Sequence, residues 1–174
     1  MVVVLGIILT FVTALLLLVI LIGFFFTIDT FLDLPYVATK RDKIETIIKL
    51  ATIKKNETVV DLGSGDGRLL FAAAEKGAYA VGYEINPFLI VLTRLRAGLK
   101  GLSSKIMVHQ RNLWKADLKV ADVIFVYGRK KTMQKFEDFV YKNAQPQTRI
   151  VVNTNPFPNK KPIKEENGIF LYRT

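Results

Sequence analysis

The sequence contains no cysteine and a single histidine, His109. The absence of cysteine excludes disulfide bonds, thiolate zinc sites and cysteine nucleophiles, and it is compatible with a reducing compartment. One histidine cannot build a multi-histidine metal centre, so no metal site is predicted. His109 lies within a predicted strand, where we expect it to pack against its neighbours and not to act as a base.

Charged residues are missing from the first part of the chain. The run from Val2 to Ile28 is almost wholly Val, Leu, Ile, Phe, Gly, Ala and Thr. Crossing a bilayer takes roughly 20 apolar residues, so residues 1–28 are predicted to form a single-pass membrane anchor. A signal peptide would need a basic start, an apolar core of roughly 7–15 residues and a small-residue cleavage site, and residues 1–28 show none of these. A core helix of a small soluble domain would be shorter.

Acidic residues are the minority among the charges, 15 against 25 Lys and Arg, and every charged side chain lies within residues 29–174. No basic residue precedes the apolar run, whereas Lys40, Arg41 and Lys43 follow it. The positive-inside rule therefore predicts that residues 40–174 face the cytoplasm. The net charge of +10 favours contact with anionic lipid headgroups. Nucleic-acid binding is the alternative, and the anchor makes it less favoured.

Residues 29–39 are predicted to form a connector, in which Pro35 interrupts any continuous helix. Residues 40–174 alternate between β-branched apolar runs and amphipathic segments. This alternation predicts an α/β domain with a mostly parallel sheet, helices on both faces and an antiparallel C-terminal hairpin at Asn167-Gly168. The predicted strands are Thr58–Leu62, Tyr79–Ile85, Lys105–Gln110, Val123–Tyr127, Arg149–Asn153, Pro162–Glu165 and Ile169–Arg173. The predicted helices are Lys40–Ile53, Arg68–Lys76, Pro87–Leu99 and Thr132–Asn143.

A glycine-rich turn follows the first predicted strand, in the stretch VVDLGSGDGRLL from Val59 to Leu70. Its spacing, G-x-G-x-G, is neither the dinucleotide pattern G-x-G-x-x-G nor the phosphate-binding G-x-x-x-x-G-K-[S/T]. Glu84, about 20 residues further on, ends the second strand and can accept hydrogen bonds from ribose hydroxyls. Together with Asp61 and Asp66, it surrounds the turn with carboxylates, which suit a cationic ligand without phosphate. S-adenosylmethionine (SAM) is such a ligand, and a tight turn in an inert α/β domain is the alternative.

These residues resemble the class I SAM-dependent methyltransferases. More narrowly, the chain resembles the protein lysine methyltransferases that modify the ATP synthase c subunit and the adenine nucleotide translocase, together with their prokaryotic relatives. The resemblance implies a Rossmann-like fold, SAM as cofactor, a lysine acceptor and an N-terminal hydrophobic segment. It is carried by Pro35-Tyr36-Val37, VVDLGSGDGR at 59–68, AVGYEINP at 80–87, LWK at 113–115, VIF at 123–125 and PFP at 156–158.

The resemblance also implies roles for particular residues. Glu84 would hold the ribose, and Asp66 would approach the methionine part of SAM. Asn112 stands where the family has an acid that faces the adenine amino group, and its amide oxygen can still accept that hydrogen bond. Leu113 belongs to the same cofactor site, and Tyr36 is either a cover over the cofactor or an interfacial aromatic beside the anchor. The residues implied to hold the methionine part are Asp61, Gly63, Ser64, Gly65 and Gly67.

The sequence departs from the family in two loops. Arg129-Lys130-Lys131 follows the fourth strand, where the family has Gly-Val-Pro, and Asn159-Lys160-Lys161 stands where the family has His-Trp. Both loops lie where a substrate would enter, so the acceptor can differ even where the reaction is shared. The predicted walls of a channel for the acceptor amine are Tyr36, Tyr127 and Phe157. No residue is predicted as a general base.

Three functions therefore stay open. The resemblance favours a membrane-anchored protein-lysine N-methyltransferase that acts on a lysine of an integral membrane protein. Methyl transfer to RNA, to a small molecule or to a lipid is the second possibility, with the positive charge favouring RNA and the anchor favouring lipid. The third is a non-catalytic SAM-fold module, against which the intact Asp61, glycine turn and Glu84 count.

Overall fold

The computed structural model describes residues 2–31 and 39–174, with side chains described for residues 2–21, 23 and 39–174. The chain divides into two compact units, residues 1–36 and residues 37–174. In the first unit, helix α1 runs from Val2 to Phe31, three residues past the predicted anchor. Its segment Val2–Leu21 is long and apolar enough to cross a membrane, and none of that segment is buried. A membrane span and a signal sequence both meet this criterion.

The second unit is an α/β domain, as the alternating sequence pattern predicts. Its helices are α2 (Arg41–Ala51), α3 (Arg68–Glu75), α4 (Pro87–Leu99) and α5 (Met133–Asn143), with short 3-10 helices at Leu113–Lys115 and Lys130–Thr132. Its strands are β1 (Thr58–Leu62), β2 (Tyr79–Glu84), β3 (Ile106–Gln110), β4 (Val123–Tyr127), β5 (Arg149–Asn153), β6 (Lys164–Glu166) and β7 (Ile169–Arg173).

The strands form one sheet in the order β3-β2-β1-β4-β5-β7-β6. Strands β1 to β5 run parallel, and β7 pairs antiparallel with β5 and with β6. The order reverses between β1 and β4, so the carboxyl ends of these two strands flank the crevice where open α/β sheets bind ligands. The mostly parallel sheet with antiparallel C-terminal strands is confirmed.

The core covers both faces of the sheet. Every residue of β1 after Thr58 is buried, and so is every residue of β4 before Tyr127, which is typical of strands with helices on both faces. Residues of α2, α3 and α4 pack with Val59, Phe125 and Val151 in one cluster. Helix α5 buries Met133, Phe136 and Val140. The loops at the carboxyl edge therefore follow strands that are buried almost to their last residue.

The C-terminal hairpin forms where Asn167-Gly168 predicts it. Both turn residues have positive φ, 51° and 62°, which is the backbone that two-residue hairpin turns require. The first hairpin strand covers Lys164–Glu166, whereas the predicted strand was Pro162–Glu165. This boundary was wrong because Pro162 has no N–H to contribute to a strand ladder.

Candidate functional site

The glycine turn joins the carboxyl end of β1 to the start of α3. Gly63, Gly65 and Gly67 all have positive φ, at 89°, 54° and 80°, a region that side chains with a Cβ disfavour. The turn is held to β2, because the N–H groups of Gly63 and Ser64 both donate to the Tyr83 carbonyl at 3.0 and 3.1 Å. The alternating glycines therefore build a close, bare stretch of backbone at the switch point of the sheet.

Asp61 lies in β1 just below this turn, and only 5% of it is exposed. Among the residues that the structure describes, its carboxyl group makes no hydrogen bond. Burial, with the Glu84 charge as a second cause, raises the pKa of Asp61 to about 7. This carboxyl group is buried beside a second carboxylate and has no hydrogen-bond partner among the described residues. A cationic ligand would therefore stabilise its ionised form.

Glu84 ends β2 and ties that strand to the glycine turn. One carboxylate oxygen accepts from the Gly65 N–H at 2.9 Å, and the other accepts from the N–H groups of Ile85 and Asn86 at 2.8 Å each. A carboxylate has about four acceptor positions, so roughly one remains for a ligand. Glu84 therefore both shapes the turn and presents an acceptor at the carboxyl edge.

Asp66, the third predicted carboxylate, is engaged by two arginines. Arg68 donates to both of its oxygens at 2.9 and 2.8 Å, and Arg96 lies 3.2 Å from one of them. Burial would raise the pKa of Asp66, but the hydrogen bonds and charges of these arginines outweigh it and hold that pKa below its usual value. The structure thus brings Asp66 to the turn as part of an ion-pair cluster, and its contact with SAM stays a prediction.

Ser64, Asn112 and Leu113 also gather around the turn. The Ser64 hydroxyl is buried and has no hydrogen-bond partner among the described residues. It lies over β2, since a Cβ on Gly82 would stand 2.5 Å from it. The Asn112 side chain accepts from the Trp114 N–H at 3.0 Å and so begins the 3-10 helix, while a Cβ on Gly63 would stand 3.7 Å from a Leu113 methyl. The loop after β3, which holds Asn112 and Leu113, therefore reaches the glycine turn after β1.

A family model described as the ANTKMT methyltransferase domain matches residues 61–164, more than half of the chain. The chain belongs to this family. It is a class I SAM-dependent methyltransferase domain, as the resemblance of the glycine turn implied. The matched residues begin at Asp61 and include the turn, Glu84, Asn112 and the loops after β4 and β5.

Two curated lysine N-methyltransferases are similar in sequence to this chain. The lysine N-methyltransferase of the ATP synthase c subunit from Homo sapiens is 33% identical over 129 residues, which are 74% of this chain and 55% of that protein. The adenine nucleotide translocase lysine N-methyltransferase of Mus musculus is 34% identical over 133 residues, 76% of this chain and 58% of that protein. The chain thus spans a little over half the length of these relatives.

A solved structure, an RNA methyltransferase from Salinibacter ruber in complex with S-adenosyl-L-homocysteine, is similar to this ANTKMT-family chain. It superposes with a TM-score of 0.72 at 29% identity, over 79% of this chain and 92% of that one. The residues present here fit SAM by their own chemistry. The turn offers bare backbone, and Asp61 and Glu84 offer negative charge to a ligand with an ammonium and a sulfonium group.

The residues predicted as channel walls lie in different surroundings. Tyr127, partly buried, ends β4 beside the switch point. Phe157 is 3% exposed and packs between the rings of Tyr141 and Tyr172, with centroids 6.2 and 4.8 Å away. Tyr36 lies outside the described residues. A channel lined by these three residues of the ANTKMT-family chain stays a prediction.

The packing prediction for His109 can be compared directly with the structure. The His109 ring stacks on Tyr83 with the centroids 5.3 Å apart, as the sequence indicated. Trp114 packs against Phe136 and Phe139 at 4.5 and 5.6 Å. Both aromatic residues therefore serve the packing around the site.

Sequence reasoning missed the link between the start of the domain and the site. Arg68 donates to the Thr39 carbonyl at 2.7 Å, while it also holds Asp66. Thr39 is buried. The chain therefore enters the ANTKMT-family domain beside the glycine turn. The only sequence signal was the basic residue directly after the turn, and nothing in the sequence connects it with a residue 29 positions earlier.

A polar cavity of about 430 Å³ lies at the opposite edge of the sheet. It is lined by residues at the amino ends of β1, β4 and β5, among them Glu57, Asp122 and Arg149. Arg149 is fully engaged there, since it pairs with Glu57 at 2.6 Å and donates to the carbonyls of Ala51 and Thr52 at 2.8 Å each. This edge joins α2 to the sheet and lacks the glycine turn.

Proposed function

We propose that this chain is a membrane-anchored protein-lysine N-methyltransferase that acts on a lysine of an integral membrane protein. The observation that carries the proposal is the pairing of a bare glycine turn with Asp61 and Glu84 at the carboxyl edge. The two curated relatives are named for lysine methylation of the ATP synthase c subunit and of the adenine nucleotide translocase. Their names support the choice of a lysine acceptor.

The residues of the chain would hold SAM mainly by charge and by backbone approach. SAM, when bound, supplies a methyl group on a positively charged sulfur. Asp61 would lose its proton and offer a carboxylate to the cationic end of the ligand, because an opposite charge favours the ionised form. Glu84 would keep the turn in shape and accept from a ribose hydroxyl. Asn112 and Leu113 would border the adenine.

The acceptor amine must be neutral, whereas a free lysine has a pKa of about 10.4. Withdrawal from water lowers that value, so an apolar approach to the site would serve in place of a general base. Tyr127 and Gly128 at the end of β4 would border this approach. The Gly128 carbonyl is held there, since it accepts from the Asn155 amide at 2.8 Å. Proximity of amine and methyl group would then supply most of the rate.

The chemistry of α1 supports the membrane anchor. The hydroxyls of Thr10 and Thr13 donate to the carbonyls of Gly6 and Leu9, one helical turn earlier, at 2.9 and 2.8 Å. These polar groups are thus satisfied within the helix, as a hydrocarbon environment requires. The exposed apolar side chains along Val2–Leu21 would lie among lipid tails.

The proposal is tested by incubating membranes that contain the full chain with SAM labelled in its methyl group. We expect label on a lysine near the membrane–water boundary of an integral membrane protein. A variant lacking residues 1–28 should bind SAM as the full chain does but modify the native target much less, because the anchor raises the local concentration of embedded targets. Equal modification by the truncated domain would mean that the anchor does not select the substrate.

RNA is the second candidate acceptor. Residues 29–174 carry the whole net charge of +10, and the similar Salinibacter ruber protein is titled an RNA methyltransferase. The same labelling experiment distinguishes the candidates. Label that ribonuclease releases would support RNA, label that protease releases from a lysine would support the lysine proposal, and label extracted with lipid would contradict both.

A further inference from the structure

Helix α4 has two apolar faces. Leu89, Ile90 and Ala97 are buried against the sheet, as expected for a helix in an α/β domain. The opposite face carries Val91, Leu95 and Leu99, which are 63%, 61% and 81% exposed. These three residues follow one another at intervals of four, so they form one row along the helix, here called the α4 stripe. A helix that faces only water would carry polar residues there.

The charges on α4 are all positive and border the stripe. Arg94 and Arg96 lie about 100° to either side of Leu95 around the helix axis, and the helix contains no acidic residue. Both arginines are exposed, and each also bonds within the domain, since Arg94 donates to the Val108 carbonyl at 2.8 Å and Arg96 pairs with Asp66 at 3.2 Å. An apolar row with basic residues on either side is typical of helices that lie in the interface of an anionic membrane.

The α4 stripe is connected to the point where the chain enters the domain. Arg96 pairs with Asp66, Asp66 pairs with Arg68, and Arg68 holds the Thr39 carbonyl. Only the seven residues 32–38 separate Thr39 from the end of α1.

We propose that the α4 stripe is a second membrane contact, which lies in the interface of an anionic bilayer. The inference rests on the membrane location proposed above, but it is independent of methyl transfer and of the acceptor. Val91, Leu95 and Leu99 enter the region between headgroups and acyl chains, while anionic headgroups accept from the N–H groups of Arg94 and Arg96 that do not bind Val108 and Asp66. Helix α4 begins at the carboxyl edge of β2, directly after Glu84, so this contact fixes the orientation of the cofactor edge relative to the bilayer.

The absence of cysteine gives a direct test with the full-length chain. Leu95→Cys introduces a unique thiol, which is labelled with a polarity-sensitive fluorophore. The labelled chain is reconstituted in vesicles of phosphatidylcholine and phosphatidylserine. Asp138→Cys, at an exposed position of α5, is the matched control. We expect the probe at Leu95 to show blue-shifted emission that spin-labelled lipid quenches strongly. The probe at Asp138 should instead be quenched by iodide in the aqueous phase.

The charge contribution is tested separately. Arg94→Gln removes the charge but keeps an amide that can donate to the Val108 carbonyl. It should weaken the contact of the Leu95 probe with lipid about fivefold, because each basic residue near an anionic surface contributes roughly that factor to binding. Arg94→Lys should restore the contact. Vesicles of phosphatidylcholine alone should reproduce the weakening in the wild-type background.

Three results would overturn the proposal. The first is quenching by iodide, in anionic vesicles, that is as strong for the Leu95 probe as for the Asp138 probe. The second is shielding of Leu95 that disappears when each vesicle holds a single chain, since the stripe would then bind a second copy. The third is lipid contact that is equal in neutral and anionic vesicles. Because none of these readouts requires SAM, failure of the lysine methylation proposal would leave them unchanged.

Discussion

Asp61 shows how one buried side chain links the site to stability. Its pKa rises from 3.8 to about 7 because it is buried and because Glu84 is close. A carboxyl group with a raised folded pKa contributes most to folding below its unfolded pKa, and that contribution is lost as the pH rises through the folded value. The ligand-free domain should therefore lose the Asp61 contribution between about pH 4 and about pH 7, with little further loss above about pH 8. Asp66 has a lowered pKa, so its contribution changes only at more acidic pH.

We predict that Asp61→Asn reduces this loss, because asparagine keeps the neutral form at every pH. Over that pH interval both ligand-free proteins are compared. The melting temperature of the wild type should fall further than that of Asp61→Asn, by at least about 5 °C. Thermal unfolding without SAM measures both. Asp138→Asn, a change at an exposed position, should follow the wild type. If the melting temperatures of wild type and Asp61→Asn change equally with pH, Asp61 is already ionised in the folded protein.

Glu84 leads to a prediction about cofactor binding. Glu84→Gln removes the negative charge and one acceptor oxygen but keeps an oxygen that can accept from the turn. A hydrogen bond to a charged group is worth about 1.5–3 kcal/mol, so the affinity for SAM should fall by about tenfold or more while the fold survives. Isothermal titration with SAM, beside the exposed control Glu75→Gln, tests this. Binding of NADH in preference to SAM by the wild type would refute the interpretation of the turn.

At the scale of elements, the joint between β2 and the glycine turn depends on Gly82. A Cβ at this position would stand 2.5 Å from the Ser64 hydroxyl and 2.8 Å from Leu70, too close for either neighbour. We expect Gly82→Ala to cost about 1–3 kcal/mol of folding free energy and to weaken SAM binding, because the turn must move. Denaturant unfolding and SAM titration measure the two effects.

Gly98→Ala in α4 is the matched control for Gly82→Ala. Its new methyl would meet no described atom closer than 3.9 Å. Alanine is also favoured over glycine within a helix by about 0.8–1.0 kcal/mol, so this variant should be at least as stable as the wild type. If both variants lose stability equally, the close contact at Gly82 is not the cause.

The sequence predicted the elements more completely than it predicted their contacts. β1, β4, β5, β7 and α4 begin and end where expected, because charged, proline or turn residues bound their apolar runs. Others differ by one or two residues. For example, α2 ends at Ala51 because Thr52 takes a left-handed backbone. Local pattern decides such boundaries, so it was a sufficient guide to the α/β fold.

The contacts within the site depend on segments far apart in the chain. The position of Glu84 was predicted from strand spacing, but its three bonds to backbone N–H groups were not. The pairing of Asp66 with Arg96, 30 residues later, and the burial of Phe157 were not foreseen either. Periodicity reports which face of an element is apolar, and it carries no information on which distant side chains meet.

At the scale of the whole molecule, the orientation of the domain leads to a prediction. The basic residues Lys40, Arg41 and Lys43 follow α1, so we expect residues 40–174 to face the cytoplasm. Protease added outside intact cells should leave this segment uncut, and permeabilised cells should lose it. Efficient cleavage from outside would reverse the orientation. Release of residues 40–174 in soluble form would identify α1 as a signal sequence.

The C-terminal hairpin also affects how neighbouring copies would behave at high local concentration. Unpaired edge strands can recruit the edges of other molecules and start aggregation. Here the outer strand, β6, has only three residues, Lys164, Glu165 and Glu166, and all of them are charged. A short charged strand is a poor template for a further strand. The hairpin thus protects one side of the sheet from intermolecular pairing, at little cost in chain length.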